Sequence, residues 1–473
     1  MSETKYRHSI CWIRRDLRLS DHVALSAAKQ NSEFVTVVFV FDTTILNKLE
    51  DKDDRRLTFI HQSLQVIHKK LQDFHSGLVV LLGDPAVEIP KAAKILKVDA
   101  VYANMDVEPY AKKRDQKVFN ALKNISCELH LLKDHVIFAG LEVRKKSGEA
   151  FKVFTPYKKQ WLMQFQSNDI RDVSIRKNNF THHSDLKAFQ IDWTLKDLGY
   201  KKKSLWIEAG EDEGMKKLKR FSTVISKYHT ERNFPASHGT SGLSVHLRFG
   251  TISVRACVRE AIQKKNEGSS IWLSELIWRD FYQMILDQYP HVAEKAFKPK
   301  YQNIRWPGSN RHFKAWCEGK TGYPIVDAAM KQFNQTGWMH NRLRMVVAMF
   351  LCKDLLVDWR KGEKYFARYL LDFDLGSNNG GWQWCSSTGC DAQPYFRIFN
   401  PILQSKKFDT KATFIRQHCP ELQKFSDKHI HAPWMTSKED QKKAECIIGK
   451  NYPKPIVDHA IQRKKVLSLF KKI

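Results

Sequence analysis

Two segments place polar and aromatic side chains at helical spacing, in combinations that could bind a planar, phosphate-bearing ligand. In IWLSELIWRDFY, residues spaced i, i+3, i+4 and i+7 would share one helix face: Glu275, Trp278, Arg279 and Tyr282. Trp272 extends that face by one turn. A carboxylate can hydrogen-bond a base edge, aromatic rings can stack on it, and Arg fits phosphate. A half-buried helix with a Glu–Arg pair would explain the pattern equally well.

A second such face follows Gly337. Pro324 suits the first turn of a helix and Gly337 the end of one, so another helix should begin near Trp338. Its polar face would carry Trp338, Asn341, Arg342 and Met345. Asn is both donor and acceptor, Arg matches phosphate, and Met adapts to shape. This combination favours a base-sized ligand that bears phosphate.

Two further stretches contain candidate ligand groups. HGTSGLSVHL (238–247) gathers hydroxyls that could bind phosphate near a helix start, although ordinary loops have the same composition. LLDFDLGSNNGGW (370–382) contains Asp372, Asp374 and Asn378 without a His or third carboxylate at suitable spacing, so no metal site is expected. These groups fit better as acceptors for the N–H edge of a heterocycle, or as partners of an Arg.

Composition points to a polyanionic partner. Among 473 residues, 79 Lys and Arg oppose 51 Asp and Glu, giving a net charge of +28. Nucleic acid is the first candidate, although a basic proteome or a solubility adaptation would also explain the charge. Nine scattered cysteines predict reduced thiols rather than zinc or disulfides. Without a signal core or an apolar run near 18 residues, we expect a cytoplasmic protein that is not membrane-bound.

The elements that would position these residues fall into two classes. Five apolar runs alternate with amphipathic segments over residues 1–135: SICWI (9–13), FVTVVFVF (34–41), LVVLL (78–82), AVYAN (100–104) and CELHLL (127–132). They predict a doubly wound parallel α/β sheet, and no GxGxxG follows any of them. Residues 136–205 resemble an interdomain connection, and residues 206–473 predict a larger all-α domain that ends in an amphipathic helix.

Together these motifs resemble the photolyase/cryptochrome flavoproteins, specifically the class I cyclobutane pyrimidine dimer DNA photolyases of bacteria. The resemblance covers nearly the whole chain and is densest over residues 318–401; its other blocks are WIRRDLRLSDHVAL (12–25), FKVFTPYKKQW (151–161), RNFPASHGTSGLS (232–244) and WLSELIWRDFY (272–282). It implies FAD in the helical domain and an antenna chromophore near the α/β domain. The implied reaction is light-driven repair of pyrimidine dimers, in which excited reduced FAD gives an electron to a flipped-out lesion.

The resemblance also implies residue roles. FAD would be held by Tyr228, Thr240, Ser241, Gly242, Leu243, Ser244, Trp272, Arg344, Asp372, Asp374 and Asn378, with Asn378 facing flavin N5. The family often has Arg or another residue where this chain has Gly242, so any side-chain contact would be lost there and only the backbone would contribute. Electrons would reach the flavin through Trp306, Trp359 and Trp382. The lesion and DNA would contact Arg232, Glu275, Trp278, Arg279, Tyr282, Asn341, Arg342, Met345, Trp384 and Gln404, with Glu275 on the base edge.

Other functions are less well matched. A cryptochrome-type light receptor without repair activity is the main alternative. At the position of Asn378, however, the resemblance leads one to expect Asp in plant-type cryptochromes and Cys in animal ones. A (6-4) photolyase would present a His pair where Asn341 and Met345 stand. A non-enzymatic DNA-binding flavoprotein is a third possibility. The resemblance to repair enzymes further implies a monomer that binds dimer-containing DNA regardless of sequence.

The antenna stays open between methenyltetrahydrofolate, deazaflavin and an empty site. The resemblance leads one to expect an Asn–Glu pair in folate-binding members at the positions of Tyr110 and Ala111. Asp106 and Glu108 look somewhat like the deazaflavin pattern. They would suit equally well as solvated acids at the start of a helix over 109–125, where they favour the helix dipole.

Overall fold

A computed structural model of the chain describes residues 4–175, 177–189 and 193–472, which form two units. The first unit is built from the described residues of Met1–Phe151, Thr155–Ser226 and Ser241–Pro290. The second is built from those of Lys152–Phe154, Lys227–Thr240 and His291–Ile473. The three-part division at residues 135 and 205 stays a prediction.

A five-stranded parallel sheet lies in the first unit, with strand order β3-β2-β1-β4-β5. Its strands are β1 (Tyr6–Ile13), β2 (Ser32–Asp42), β3 (Leu78–Gly83), β4 (Ala100–Asn104) and β5 (Glu128–Leu132). Strand β4 is buried along its whole length, as expected for a parallel strand covered on both faces. Each strand coincides with one of the five apolar runs, so the predicted doubly wound sheet is confirmed.

Helices make up about half of the remaining described chain. In chain order they are α1 (Val23–Asn31), α2 (Thr43–Leu46), α3 (Arg55–Gln72), α4 (Pro85–Leu96), α5 (Pro109–Lys123), α6 (Phe154–Gln164), α7 (Glu211–Ser222), α8 (Tyr228–Glu231), α9 (Ser244–Phe249), α10 (Val254–Gln263), α11 (Glu267–Gln288), α12 (Asn310–Cys317), α13 (Pro324–Thr336), α14 (Asn341–Met349), α15 (Trp359–Tyr369), α16 (Leu375–Ser386), α17 (Pro401–Phe408), α18 (Thr413–His418), α19 (Lys438–Lys443) and α20 (His459–Lys471). A π-helical turn, Phe350–Asp354, follows α14. The predicted helical character beyond the sheet is confirmed.

A buried carboxylate orients α11 within the first unit. Asp280 accepts hydrogen bonds from the backbone N–H groups of Ile137 and Phe138 and from the indole of Trp161, at 3.1, 3.3 and 3.1 Å. Burial raises the pKa of Asp280 to about 6, in spite of these donors and of neighbouring Arg279. The donors lie in the segment predicted as a connection, which is therefore fixed to α11 by specific hydrogen bonds.

The helix boundaries in the second unit follow local capping. Helix α13 starts at Pro324 and ends at Gly337, whose φ is 70°, as predicted. Helix α14 begins only at Asn341, because the side chain of His340 caps it by accepting a backbone hydrogen bond. The prediction that this helix begins near Trp338 is therefore wrong, and Trp338 does not belong to its polar face.

Helix α16 contains the stretch NNGGWQW. The Asp374 side chain caps its start by accepting from the N–H of Ser377, and Ser387 ends it with a φ of 72°. Two residues along a helix correspond to a rotation of roughly 200°. Trp382 and Trp384 therefore leave the helix on nearly opposite sides; the first is 3% exposed and the second is half-buried.

Candidate functional site

In the first unit, α11 presents the predicted polar and aromatic face. The half-buried residues on this face are Glu275, Trp278, Arg279 and Tyr282. The rings of Trp278 and Tyr282 lie 5.3 Å apart, and Arg279 donates to the backbone carbonyl of His135. Trp272 is buried one turn earlier, 4.9 Å from the ring of Phe221. The helical spacing thus brings a carboxylate and two aromatic rings together.

The loop before α9 lies beside an ammonium group. Gly242 has a φ of 60°, and a Cβ added there would lie 3.4 Å from Nζ of Lys217 on α7. Burial and then Arg220 lower the pKa of Lys217. Ser241 Oγ accepts from the N–H of buried Leu243, and Ser244 is exposed. At the position where the family often has Arg or another residue, Lys217 supplies a positive charge from a different element.

In the second unit, Arg344 holds a buried carboxylate with one free oxygen. Nη2 of Arg344 donates to Oδ2 of Asp372 at 2.8 Å, and its Nε donates to the carbonyl of Met339. Oδ1 of Asp372 is buried and accepts no hydrogen bond from the described residues. An unsatisfied buried acceptor costs about 1–3 kcal/mol. This oxygen therefore fits a bound group that offers an N–H donor, such as the edge of a flavin ring.

Asn378 is oriented by a buried glutamate on the neighbouring helix. Its Nδ2 donates to Oε1 of Glu363 at 2.9 Å and approaches the Glu363 carbonyl at 3.4 Å. Burial raises the pKa of Glu363 to about 7, against the effects of this hydrogen bond and of Lys364. Because the amide nitrogen faces Glu363, the amide oxygen of Asn378 is the group that can accept from a ligand.

Trp382 packs into the core one turn beyond Asn378. Its ring lies 5.1 Å from Phe366 and 6.0 Å from Trp316, both edge-on. Gly362 on α15 makes this packing possible, since a Cβ there would lie 2.2 Å from the indole of Trp382. Of the predicted relay residues, Trp382 and Trp359 are buried and Trp306 is partly exposed.

Arginines cluster beside α14. Nη2 of Arg342 donates to Oδ1 of Asn233 at 2.6 Å, and no carboxylate of the described chain lies within 4.0 Å of it. Burial and then Arg232 lower the pKa of Arg342. Burial, Arg342, Arg344 and Arg232 lower the pKa of His340 to about 4, so this imidazole is neutral at pH 7. Positive charge concentrated in this way favours an anion such as phosphate.

The other predicted residues of the second unit are also placed. The ring of buried Tyr228 lies 5.3 Å from the guanidinium of Arg232, and Thr240 is half-buried. Asn341 is exposed next to Met345, with 4.0 Å between Nδ2 and Sδ. Oε1 of Gln404 on α17 is buried and has no partner among the residues that the structure describes.

The predicted antenna acids are ion-paired in the first unit. Nη1 of Arg15 lies 3.1 Å from Oδ1 of Asp106 and 2.8 Å from Oε1 of Glu108. Burial alone would raise the pKa of Asp106, but Arg15 and then His135 hold it below its ordinary value. Asp106 also lines a cavity of about 710 Å³ together with Lys112. The two acids are therefore not simply solvated helix-start residues.

Three residues of these sites were missed in the sequence. Lys217, Glu363 and Trp316 each act through a residue on a different element, so their own sequence surroundings give no spacing signal. One sequence signal was available for Glu363, which directly follows Gly362 in WRKGEKYF. A glycine inside a helix often indicates that another element packs closely against the helix at that point.

Within the described chain, no group of three His, Cys, Asp or Glu side chains could hold a metal ion. The helices there include none that is long and apolar enough to cross a membrane. All nine cysteines are free thiols.

Comparison with known proteins agrees with this arrangement. The family described as DNA photolyase matches residues 9–174, and the FAD binding domain of DNA photolyase matches residues 272–472. A deoxyribodipyrimidine photo-lyase of Synechococcus sp. is 38% identical over 480 residues, covering 98% of this chain and 96% of the relative.

Solved structures show the same similarity. A class III photolyase from Agrobacterium tumefaciens is 33% identical with a TM-score of 0.90, covering 100% of this chain and 98% of that one. An archaeal photolyase from Sulfolobus tokodaii, solved with two FAD molecules, is 32% identical with a TM-score of 0.84, covering 98% of this chain and 100% of that one.

An N-terminal parallel sheet followed by a helical FAD-binding domain defines a light-dependent flavoprotein of the photolyase type. The chain belongs to the DNA photolyase family. The predictions of this family and of FAD as its cofactor are confirmed.

Gly362→Ala should destabilise the second unit, because the new Cβ would overlap the indole of Trp382. Overpacking of this kind costs about 1–3 kcal/mol. The matched control is Gly381→Ala on α16, where a Cβ would meet nothing within 4 Å. That change should be neutral or stabilise by up to about 1 kcal/mol. Denaturant unfolding of the FAD-free variants, followed by Trp fluorescence, measures both; equal effects would contradict the packing argument.

The raised pKa of Glu363 should make stability depend on pH. Folding raises this pKa from 4.5 to about 7, so between these values the folded chain holds a proton that the unfolded chain has lost. The contribution of Glu363 to stability is therefore complete below pH 4.5 and is lost as pH rises through 7. Glu363→Gln should remove up to about 1.4 kcal/mol per pH unit from the slope of unfolding free energy. Exposed Glu439→Gln is the control, and identical slopes in both variants would refute the assignment.

Proposed function

We propose that the chain is a deoxyribodipyrimidine photo-lyase that repairs cyclobutane pyrimidine dimers in DNA with light, by electron transfer to a flipped-out lesion. The main support is the order of side chains along α16. Asp374, Asn378 and Trp382 follow one another at intervals of one turn, and Trp384 leaves the helix on the other side. One helix thus presents groups suited to a cofactor, to an electron relay and to a substrate base.

FAD would be bound by the residues that the resemblance to the photolyases implies. Those proposed for the flavin ring are Arg344, Asp372, Asp374 and Asn378, with Oδ1 of Asp372 accepting an N–H. Those proposed for the phosphates and ribityl chain are Tyr228, Thr240, Ser241, Gly242, Leu243 and Ser244, with Trp272 alongside, and Lys217 adds a positive charge. When bound, reduced FAD supplies on excitation the electron that splits the cyclobutane ring, and afterwards recovers it.

The tryptophans would keep this cofactor reduced. Trp306 is partly exposed, whereas Trp359 and Trp382 are buried, so an electron entering at Trp306 passes inward through the other two. Packing around Trp382 excludes water from the inner end of the path. The amide oxygen of Asn378, turned away from Glu363, would accept a hydrogen bond from the flavin N5 position.

The arginines and the α11 face would bind the lesion. Arg232 and Arg342 would grip phosphates without reading sequence, which makes binding salt-dependent. A dimer pairs and stacks poorly, so moving it out of the duplex costs less than moving a normal base. Glu275 would then hydrogen-bond its edge while Trp278 and Trp384 stack on it. The remaining proposed contacts are Arg279, Tyr282, Asn341, Met345 and Gln404.

Three finer points belong to the same proposal. The protein would act as a monomer in the cytoplasm, on DNA that contains pyrimidine dimers. The cavity beside Asp106 is the place to look for an antenna chromophore, whether methenyltetrahydrofolate or deazaflavin. Pigment extraction from the purified protein would identify which of these, if either, is bound.

Repair of defined DNA tests the function. Under reducing conditions, blue light should restore an oligonucleotide carrying one cyclobutane dimer and leave a (6-4) photoproduct unchanged, and neither should change in the dark. Failure of repair by protein that contains FAD would favour the cryptochrome-type alternative. Repair of the (6-4) photoproduct alone would instead identify the protein as a (6-4) photolyase.

Trp382→Phe separates the relay from repair. In the variant, photoreduction of oxidised FAD should be at least about 10-fold slower, because the relay lacks one of its buried tryptophans. A 10-fold change in rate corresponds to about 1.4 kcal/mol of activation free energy. Repair by variant that is chemically reduced beforehand should stay close to that of the unchanged protein. Transient absorption and the oligonucleotide assay measure the two steps, and equal loss of both would show that the assigned path is wrong.

A further inference from the structure

Two segments rich in Lys and Arg lie beside Trp306 in the second unit. One of these segments, Lys295–Cys317, contains Trp306 itself and six basic residues: Lys295, Lys298, Lys300, Arg305, Arg311 and Lys314. The other, residues 459–472, forms α20 and its end, with five: Arg463, Lys464, Lys465, Lys471 and Lys472. Neither segment contains Asp or Glu. We call these two segments the relay-end surface.

Aromatic packing joins the two segments. Phe470 of α20 is buried with its ring 6.1 Å from Trp306, 5.3 Å from Tyr301 and 5.7 Å from Tyr395. The ammonium of buried Lys353 lies 4.0 Å from the centroid of the same ring. The C-terminal end of α20 is therefore fixed directly beside Trp306.

A hydrogen bond fixes the other end of α20. Nδ1 of His459 lies 2.6 Å from Oδ1 of Asp354, which belongs to the π-helical turn. Val466 is buried midway along the helix, so the predicted amphipathic character of this segment is confirmed. With both ends and the middle anchored, Arg463, Lys464 and Lys465 stay exposed on the outer side.

The positive charge of the relay-end surface is hardly compensated. Among its described Lys and Arg residues only Lys314 has a carboxylate within 4.0 Å, at 3.9 Å from Glu318. Burial and then Arg311 and Lys465 lower the pKa of His312, so charges from both segments act at one point. Like charges held together in this way give a local potential that attracts anions.

The surface is better suited to small anions than to a protein partner. In the described parts of both segments, Ile461 is the one large apolar side chain that is strongly exposed. Protein interfaces need an apolar or aromatic centre, which a field of lysines does not provide. The partly exposed Trp306 is accessible to a small molecule without such an interface.

We propose that the relay-end surface attracts small anionic one-electron donors and delivers them to Trp306. This inference rests on the proposed function, in which Trp306 is the outermost residue of the relay. After light-excited FAD has withdrawn an electron through the relay, the oxidised indole of Trp306 takes one electron from the donor, which is thereby oxidised. Water returns any proton lost from the indole. Steering of this kind raises encounter rates by about 10- to 1,000-fold at low salt.

Flash photolysis of the FAD-containing protein tests the proposal with ascorbate as the anionic donor and hydroquinone as the neutral one. In the triple variant Arg463→Glu/Lys464→Glu/Lys465→Glu, the rate constant for reduction of the Trp306 radical by ascorbate should fall about 10-fold at low ionic strength. The difference should largely disappear near 1 M salt, where the Debye length is about 3 Å. Reduction by hydroquinone should change less than about 2-fold, since a neutral donor is not steered.

The matched control is Lys438→Glu/Lys442→Glu/Lys443→Glu on α19, which changes net charge equally but on a helix that also carries Glu439 and Asp440. It should change the ascorbate rate less than about 2-fold. The proposal is overturned by an unchanged ascorbate rate in the α20 variant, or by an equal loss in both variants. It is also overturned if the α20 variant loses more affinity for duplex DNA than the control does, because the surface would then serve DNA.

A second measurement needs no FAD. Subtracting the fluorescence of Trp306→Phe isolates the Trp306 signal, which should be quenched more strongly by iodide than by caesium ions, and the preference should vanish in the α20 variant. Equal quenching by both ions would overturn the proposal. Absence of a Trp306 radical after the flash, with iodide preference intact, would instead count against the proposed relay.

Discussion

The contact between α15 and α16 sets the geometry on which the second unit's candidate site depends. Two consecutive residues of α15 make it: Gly362 leaves room for the indole of Trp382, and Glu363 binds the amide of Asn378. Because Asn378 and Trp382 are one turn apart on α16, a single helix register positions both. The absence of one methyl group and the presence of one buried carboxylate thus fix the amide of Asn378 and the indole of Trp382 together.

Buried and clustered charges in this unit are arranged for a ligand rather than for the empty fold. Among the residues that the structure describes, none donates to the buried Oδ1 of Asp372, whose other oxygen is held by Arg344, and no carboxylate lies within salt-bridge distance of Arg342. Arg232 adds positive charge near Arg342. Both arrangements cost free energy in the absence of a partner. A flavin N–H would offset the first cost and a phosphate the second, so binding at these positions would also stabilise the fold.

Local signals explain what could be predicted from the sequence. The five strands follow from continuous apolar runs, and the ends of α13 follow from Pro324 and Gly337. The predicted start of α14 was wrong because its N-cap residue is His340, whereas Ser and Asp are the usual N-cap residues. Lys217 and Glu363 could not be predicted from spacing, since each acts on a residue of another helix or loop. Their roles depend on packing between elements far apart in sequence.

The opposite directions of Trp382 and Trp384 have a consequence for how α16 can change. A substitution at either tryptophan changes the side chain on one side of the helix and leaves the other side in place. A single inserted or deleted residue between Asp374 and Trp382 would rotate everything beyond it by about 100°. Trp382 would then lose its packing against Phe366, and a change before Asn378 would also break the hydrogen bond of Asn378 to Glu363. Helix α16 is therefore tolerant of substitution at its surface positions but intolerant of any change in length.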